Sequence, residues 1–438
     1  MSAKTILFGT LTLIMFLSCD KKTSKVAIPT PQKVAYGADS LQLSEEVYFD
    51  KVLGALVGSA IGDAMGASTE MWYRKDIQLK YGFITGLTPA VRERSPEGTW
   101  SNNLFAGATT DDTRWKYLTV KYLSENHGRL NGENFAKFIA DYYRSVAKSL
   151  SDKDLLTNPD VLDNNIEKID WIKEWARVAL AKQENNDAYQ QALNRFYGGE
   201  MSCAGQLYTP MFGLISKTAE EAYDLGYKHA IFDLGYAKDI SALVAAMTQM
   251  AMRTENIDSI LNTATFVDPY GYQDSRLVRR IPYSVADASI KKVLAIKDRV
   301  ITDSLLTQEA LLYRMPKGFP GTQEDWMRQE MAYQFLEENE KSIPFHAGEI
   351  WQILVTALEY GQGNFEKTLL FIINYGRDND TVGAVAGMIL GAKEGYKKLP
   401  SPWKETILKV NKENMGLDLE AMALEMVSSE KKQLKPQR

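Results

Sequence analysis

Four glycines fall at every fourth position in Gly54-Ala55-Leu56-Val57-Gly58-Ser59-Ala60-Ile61-Gly62-Asp63-Ala64-Met65-Gly66, and Gly383, Gly387, Gly391 and Gly395 repeat the spacing near the other end of the chain. Glycine inside a helix costs about 1 kcal/mol relative to alanine. Several in one helix make sense only as a bare stripe against which another backbone closes. Such stripes also pack membrane helices. Here Asp63 interrupts one segment and Arg377 precedes the other, so neither is an apolar span of bilayer length. The spacing therefore predicts two glycine-faced helices packed deep in one bundle. Tight packing without functional consequence would explain the glycines, but not the carboxylates beside them.

The rest of the chain also reads as helix. Trp115, Leu118, Tyr122 and Leu123 share one face at helical spacing; Ile240, Leu243, Val244, Met247 and Ala251 share another, and Ile350, Trp351, Leu354, Val355 and Leu358 a third. Alternating strand patterns are scarce. The expected fold is all-α, a single compact multi-helix bundle over residues 45–430 with a charged tail at 431–438. The stretch from Phe266 to Pro344, with Pro269, Pro282, Pro316 and Pro320, reads as irregular, an insertion or a lid. With 438 residues, 45% hydrophobic and 24% charged, the chain can bury a large core. Its net charge of -5 leaves no basic field to recruit nucleic acid.

The first residues stand apart. Lys4 precedes an apolar run from Ile6 to Leu17, which leads into Ser18-Cys19. The run is short for a bilayer span but suits the core of a signal peptide. A small residue directly before cysteine resembles the lipobox of bacterial lipoproteins. That resemblance implies that residues 1–18 are a signal peptide and that lipidated Cys19 anchors the protein in a bacterial cell envelope. Residues 19–44 would then be a flexible tether. An uncleaved anchor or a plain secretory signal is the alternative. Cys203 is the only other cysteine, so with Cys19 lipidated no disulfide holds the domain together.

Two acidic clusters carry the chemistry: Thr109-Thr110-Asp111-Asp112-Thr113 and Arg377-Asp378-Asn379-Asp380-Thr381. Each sits at the expected start of a helix. Either alone would read as an N-cap with acids complementing the helix dipole. Two clusters of the same makeup, each joined to a strongly apolar or glycine-faced helix, point further. Each offers two carboxylates beside a threonine hydroxyl, six hard oxygen ligands in all, suited to a pair of Mg²⁺ (or Mn²⁺) ions. Four carboxylates converging without cations would repel one another. Zinc is not expected, because His127, His229 and His346 are scattered and no Cys/His pair has ligand spacing.

These motifs, with Gly62-Asp63-Ala64-Met65-Gly66-Ala67-Ser68-Thr69-Glu70 and a trailing Lys398-Leu399-Pro400, resemble the ADP-ribosylglycohydrolase family in order and spacing. They cover roughly the first and last quarters of the domain. The resemblance implies an all-α fold with a binuclear Mg²⁺ (or Mn²⁺) centre held by Thr110, Asp111 and Asp112 from the first cluster and by Asp378, Asp380 and Thr381 from the second. It implies cleavage of the bond between ADP-ribose and its acceptor, with Glu70 acting on water or leaving group. The expected partner is a small-molecule or ADP-ribosylated substrate, and a monomer is expected.

The middle of the chain departs from the family pattern. The diphosphate-cradling loop corresponds to residues 198–210, which contain Glu200. A family histidine is replaced around Gly235-Tyr236-Ala237, and Arg377 stands where glycine is usual. Ser202, Gly205, Tyr208 and Tyr236 are the candidate substrate contacts, with Trp100 a further candidate for stacking on a base. Two other readings stay open. One is a hydrolase of another N-glycoside, such as a nucleoside, using the same centre. The other is a surface-tethered binding protein without catalysis. For the anchor, palmitate labelling is expected to tag the protein and to vanish in Cys19→Ala; label that survives the substitution contradicts it.

Overall fold

The computed structural model describes residues 43–91, 103–126, 129–149, 169–302 and 314–433. The expected signal peptide, Cys19, the expected tether up to residue 42, Trp100 and His127 lie outside the described residues.

Seventeen α-helices occur among the described residues. They begin with α1 (Glu45–Gly66), α2 (Arg74–Tyr81), α3 (Asp111–Glu125), α4 (Gly132–Ser149), α5 (Lys173–Glu184) and α6 (Asn186–Leu193). Then come α7 (Pro210–Ile215), α8 (Ala219–His229), α9 (Ala237–Arg253), α10 (Ile257–Phe266), α11 (Ile281–Asp298) and α12 (Gln323–Glu337). The series closes with α13 (Ala347–Gly361), α14 (Phe365–Tyr375), α15 (Asn379–Glu394), α16 (Ser401–Val410) and α17 (Leu419–Gln433). Strands are minimal. β1 (Trp72–Tyr73) pairs antiparallel with β4 (Gly376–Arg377), and β2 (Ala90–Val91) with β3 (Asn103–Leu104). The fold is all-α, as expected.

The glycine stripes meet. A Cβ added to Gly58 would stand 2.3 Å from the carbonyl oxygen of Gly387, and one on Gly62 would stand 1.9 Å from that of Gly383. Gly54 faces Gly391 in the same way, and Gly66 lies against the backbone of Asp380. Residue numbers rise along α1 as they fall along α15, so the two helices run antiparallel. The C-terminal end of α1 therefore meets the N-terminal end of α15. Both are buried all round, from Val52 to Gly66 and from Asn379 to Lys393. The other helices wrap this pair: α3, α14, α16 and α17 pack on α1, while α9, α13 and α14 pack on α15.

The three faces expected from periodicity are buried. Trp115 anchors α3 in an aromatic cluster, with ring contacts to Phe135, Trp171, Trp175, Tyr208 and Phe232. Two stretches differ from expectation. Among its described residues, the stretch 266–344 is not irregular throughout, since α11 and α12 lie within it. Pro282 sits in the first turn of α11, where a missing N–H costs no helical hydrogen bond. Pro316 and Pro320 precede α12, whose N-cap Thr322 forms a capping box with Asp325. At the end of the chain, α17 runs on to Gln433, beyond the expected start of the tail.

In an exposed helix, Gly→Ala would be stabilising. At Gly62 the added methyl collides with backbone that has no rotamer to change. Gly62→Ala is therefore expected to destabilise the protein by about 1–3 kcal/mol, the usual cost of overpacking, read as a lower melting temperature; an unchanged or raised melting temperature contradicts the packing.

Candidate active site

Thr110 caps α3 from an extended backbone, and its hydroxyl accepts from the Asp112 N–H at 3.4 Å. Asp63, reaching across from α1, completes the cap. Its Oδ1 accepts from the Thr110 N–H at 2.9 Å, and its Oδ2 accepts from the Thr113 N–H at 3.1 Å and the Thr113 hydroxyl at 2.6 Å. The helix start is thus satisfied without the side chains of Asp111 and Asp112. Simple capping does not account for those two carboxylates.

Asp378 is the N-cap of α15 and makes no side-chain capping bond. The backbone before it is held by the β1–β4 pair, in register Trp72↔Arg377, and by the Met71 N–H donating to the Arg377 carbonyl at 2.8 Å. Met71 and Arg377 both adopt left-handed φ values, 63° and 62°. Such conformations cost of order 1–3 kcal/mol each for residues with a side chain. The Arg377 guanidinium offsets this with a two-point pair to Glu349, at 2.6 and 3.1 Å, and a bond to the Lys341 carbonyl at 2.8 Å. Arginine at this usually glycine position is therefore strapped in place. The strap brings Glu70, the residue before Met71, to the same cleft as Asp378.

The two clusters interlock. Thr381 Oγ1 donates to Asp112 Oδ2 at 3.0 Å, and Thr110 Oγ1 donates to Asp380 Oδ2 at 3.3 Å. Lys116 Nζ lies 3.0 Å from Asp112 Oδ1. Asp380 Oδ1 is buried with no hydrogen-bond partner. Burial, and then the charges of Glu70, Asp378, Asp112 and Asp63, push the Asp380 carboxyl well above the usual carboxylate range. Burial and the Asp112 charge raise Asp63 to about 7, against the hydrogen bonds from Thr113 and Thr110. This is a site short of positive charge. Among the described residues, however, no three Asp, Glu, His or Cys side chains are gathered closely enough to hold an ion as they stand. Thr381 and Lys116 occupy Asp112 instead.

A cleft opens on this cluster, lined by Glu70, Asp111, Asp378, Asp380 and Thr381 together with Trp175, Tyr197, Ser202, Cys203 and Phe345, the Cys203 thiol lying 3.6 Å from Asp378 Oδ2. Of the four expected substrate contacts, only Ser202 lines it, with its buried hydroxyl unpartnered. Gly205 does not. Its N–H donates to Asp233 Oδ1 at 2.7 Å, and a Cβ there would strike Asp233 Oδ2 at 2.3 Å, so the glycine serves that approach rather than an anion. Tyr208 is core: its ring packs on Trp115, and its hydroxyl donates to the His229 carbonyl at 2.8 Å. Tyr236 is half-buried and does not line the cleft; its ring lies 6.4 Å from that of His346. The 3₁₀ segment Ala204–Leu207 turns this part of the loop inward. Sequence reasoning missed Asp63 and Lys116 as members of the cluster, and Trp175, Tyr197 and Phe345 as cleft walls.

A family model described as ADP-ribosylglycohydrolase matches residues 44–435. The chain belongs to the ADP-ribosylglycohydrolase family. It is 23% identical over 373 residues to the ADP-ribosylhydrolase ARH3 of Gallus gallus, a match covering 81% of this chain and 88% of that protein. It is 21% identical over 369 residues to the uncharacterized protein YegU of Escherichia coli (strain K12), covering 83% and 93%. A solved structure titled as an ADP-ribosylglycohydrolase-related protein complex shares the fold, with a TM-score of 0.50 and 18% identity over 88% of this chain and 99% of that one. The chain is a hydrolase, of a family that acts on ADP-ribose-linked glycosidic bonds and is metal-dependent.

Proposed function

We propose that this ADP-ribosylglycohydrolase uses a magnesium or manganese centre at the junction of α1, α3 and α15 to release ADP-ribose, or a related ribosyl group, from its acceptor. The observation that carries this is Asp380 Oδ1, a buried carboxylate oxygen with no donor, surrounded by further carboxylates. A hard divalent cation fits that vacancy of charge, and the surrounding donors are oxygens suited to it. Thr110, Asp111 and Asp112 would hold it from one helix end, with Asp378, Asp380 and Thr381 from the other. When bound, the cation would fix ribose hydroxyls and acidify a water. Glu70 lines the same cleft and is placed to pass a proton to or from that water or the departing acceptor. The negative field around Asp380 favours the oxocarbenium-like character that develops at the anomeric carbon. The partly exposed rings of Tyr197 and Phe345 also line the cleft, where an aromatic or sugar face can stack.

The same centre on a nucleoside-like substrate remains the second reading. It is favoured by the commitment of the Gly205 N–H to Asp233, which removes one donor expected to meet the diphosphate. The test is release of ADP-ribose from peptides modified on serine or arginine, beside release of base from nucleosides. Activity is expected to vanish with EDTA and to return with Mg²⁺ or Mn²⁺. Asp380→Asn is expected to lose at least about 100-fold, the upper range for disturbing a metal ligand's surroundings. Activity that is indifferent to EDTA, or a fully active Asp380→Asn, rules out the centre.

A further inference from the structure

The two halves of the centre look alike in sequence but are not equivalent in space. Asp112 is engaged on both carboxylate oxygens: Oδ1 by the Lys116 ammonium at 3.0 Å and Oδ2 by the Thr381 hydroxyl at 3.0 Å. Lys116 and Asp112 lie one helical turn apart on α3, and their side chains are each only 1% exposed. The ammonium is therefore enclosed over Asp112 and has no route to water without displacing packed neighbours. Asp380 is different. Its Oδ2 accepts from Thr110, while its equally buried Oδ1 accepts from nothing.

A divalent ion on Asp112 Oδ1 would share that oxygen with an ammonium, two positive charges held across a single atom away from water. Such repulsion is weakly screened in a protein interior. An ion on Asp380 Oδ1 meets no such competitor. Glu70 and Asp378, both on the cleft wall, reinforce the negative field at Asp380 more than Asp112 does.

We propose that Lys116 takes the place of one of the two expected cations, so that the centre binds a single divalent ion, on the Asp380 side. The inference rests on the metal reading above and narrows its binuclear form to one ion. The ammonium neutralises Asp112 and, through it, fixes the Thr381 hydroxyl against the first cluster. Lys116 is thus a positioning residue. The one bound ion, beside Glu70, Asp378 and Asp380, is left to meet the substrate.

The readout is metal stoichiometry rather than turnover. The full chain, dialysed against Mn²⁺, is expected to retain one ion per chain, with the resolved six-line electron paramagnetic resonance spectrum of an isolated Mn²⁺. Lys116→Met keeps the side chain's bulk without its charge. It is expected to retain two ions, with a spectrum broadened by coupling between them. Lys116→Gln serves the same purpose should the methionine variant fail to melt cooperatively. Two ions in the unaltered chain overturn the proposal, as does a folded charge-removed variant that still takes one. No Mn²⁺ on any of these proteins overturns the metal reading itself, and this inference with it.

Discussion

The structure depends on backbone-to-backbone contact between two buried helices. Along α1 and α15 the carbonyl oxygens of Gly383, Gly387 and Gly391 sit where side chains of Gly62, Gly58 and Gly54 would otherwise project. Each helix-interior glycine gives up about 1 kcal/mol of intrinsic helix stability relative to alanine. What offsets that loss is close dispersion contact between Val52–Gly66 and Asn379–Lys393, the buried stretches of the two helices. The geometry is also unforgiving. At Gly62 and Gly58 the obstacle is main chain, so the spacing of the helices cannot relax by a rotamer change.

That rigidity decides what the helix ends can do. Because α1 and α15 run antiparallel, the last turn of α1 abuts the first turn of α15, with Gly66 against the Asp380 backbone. Asp63, one turn earlier, caps α3 and so pins a third helix end to the same point. The β1–β4 strap then returns the chain after α1 to the entrance of α15, bringing Glu70 to the cleft. A site of several carboxylates, each repelling the next, needs such a scaffold. Loosely held, the acids would separate; held here, they stay together, and burial and mutual charge raise the Asp380 and Asp63 carboxyls above the usual range.

The glycine stripes, the three apolar faces and the paired acidic clusters were legible in the sequence, because period and composition alone carry them. Other parts were not, for physical reasons. Nothing in the sequence marked Lys116, one helical turn after Asp112, and only the packing around α3 shows both side chains to be buried. Asp63 read as an interruption of a glycine stripe, whereas it is the cap of a helix distant in sequence. Tyr208 and Gly205 were assigned to a ligand loop through the family resemblance. The 3₁₀ turn that carries Gly205 inward and the Asp233 carboxylate that takes its N–H are tertiary facts. The prolines between residues 266 and 344 suggested irregular chain, but Pro282 is a helix-start proline and Pro320 precedes a capping box.

The central claim is that glycine contact brings two separate acidic helix ends into one oxygen-lined cation site. Anomalous diffraction from a crystal soaked in Mn²⁺ tests it most directly. The account predicts a manganese peak at coordinating distance from Asp380, between the first turns of α3 and α15 and on the side away from Lys116. A map in which those helix ends carry no peak, while manganese sits elsewhere on the protein, contradicts it.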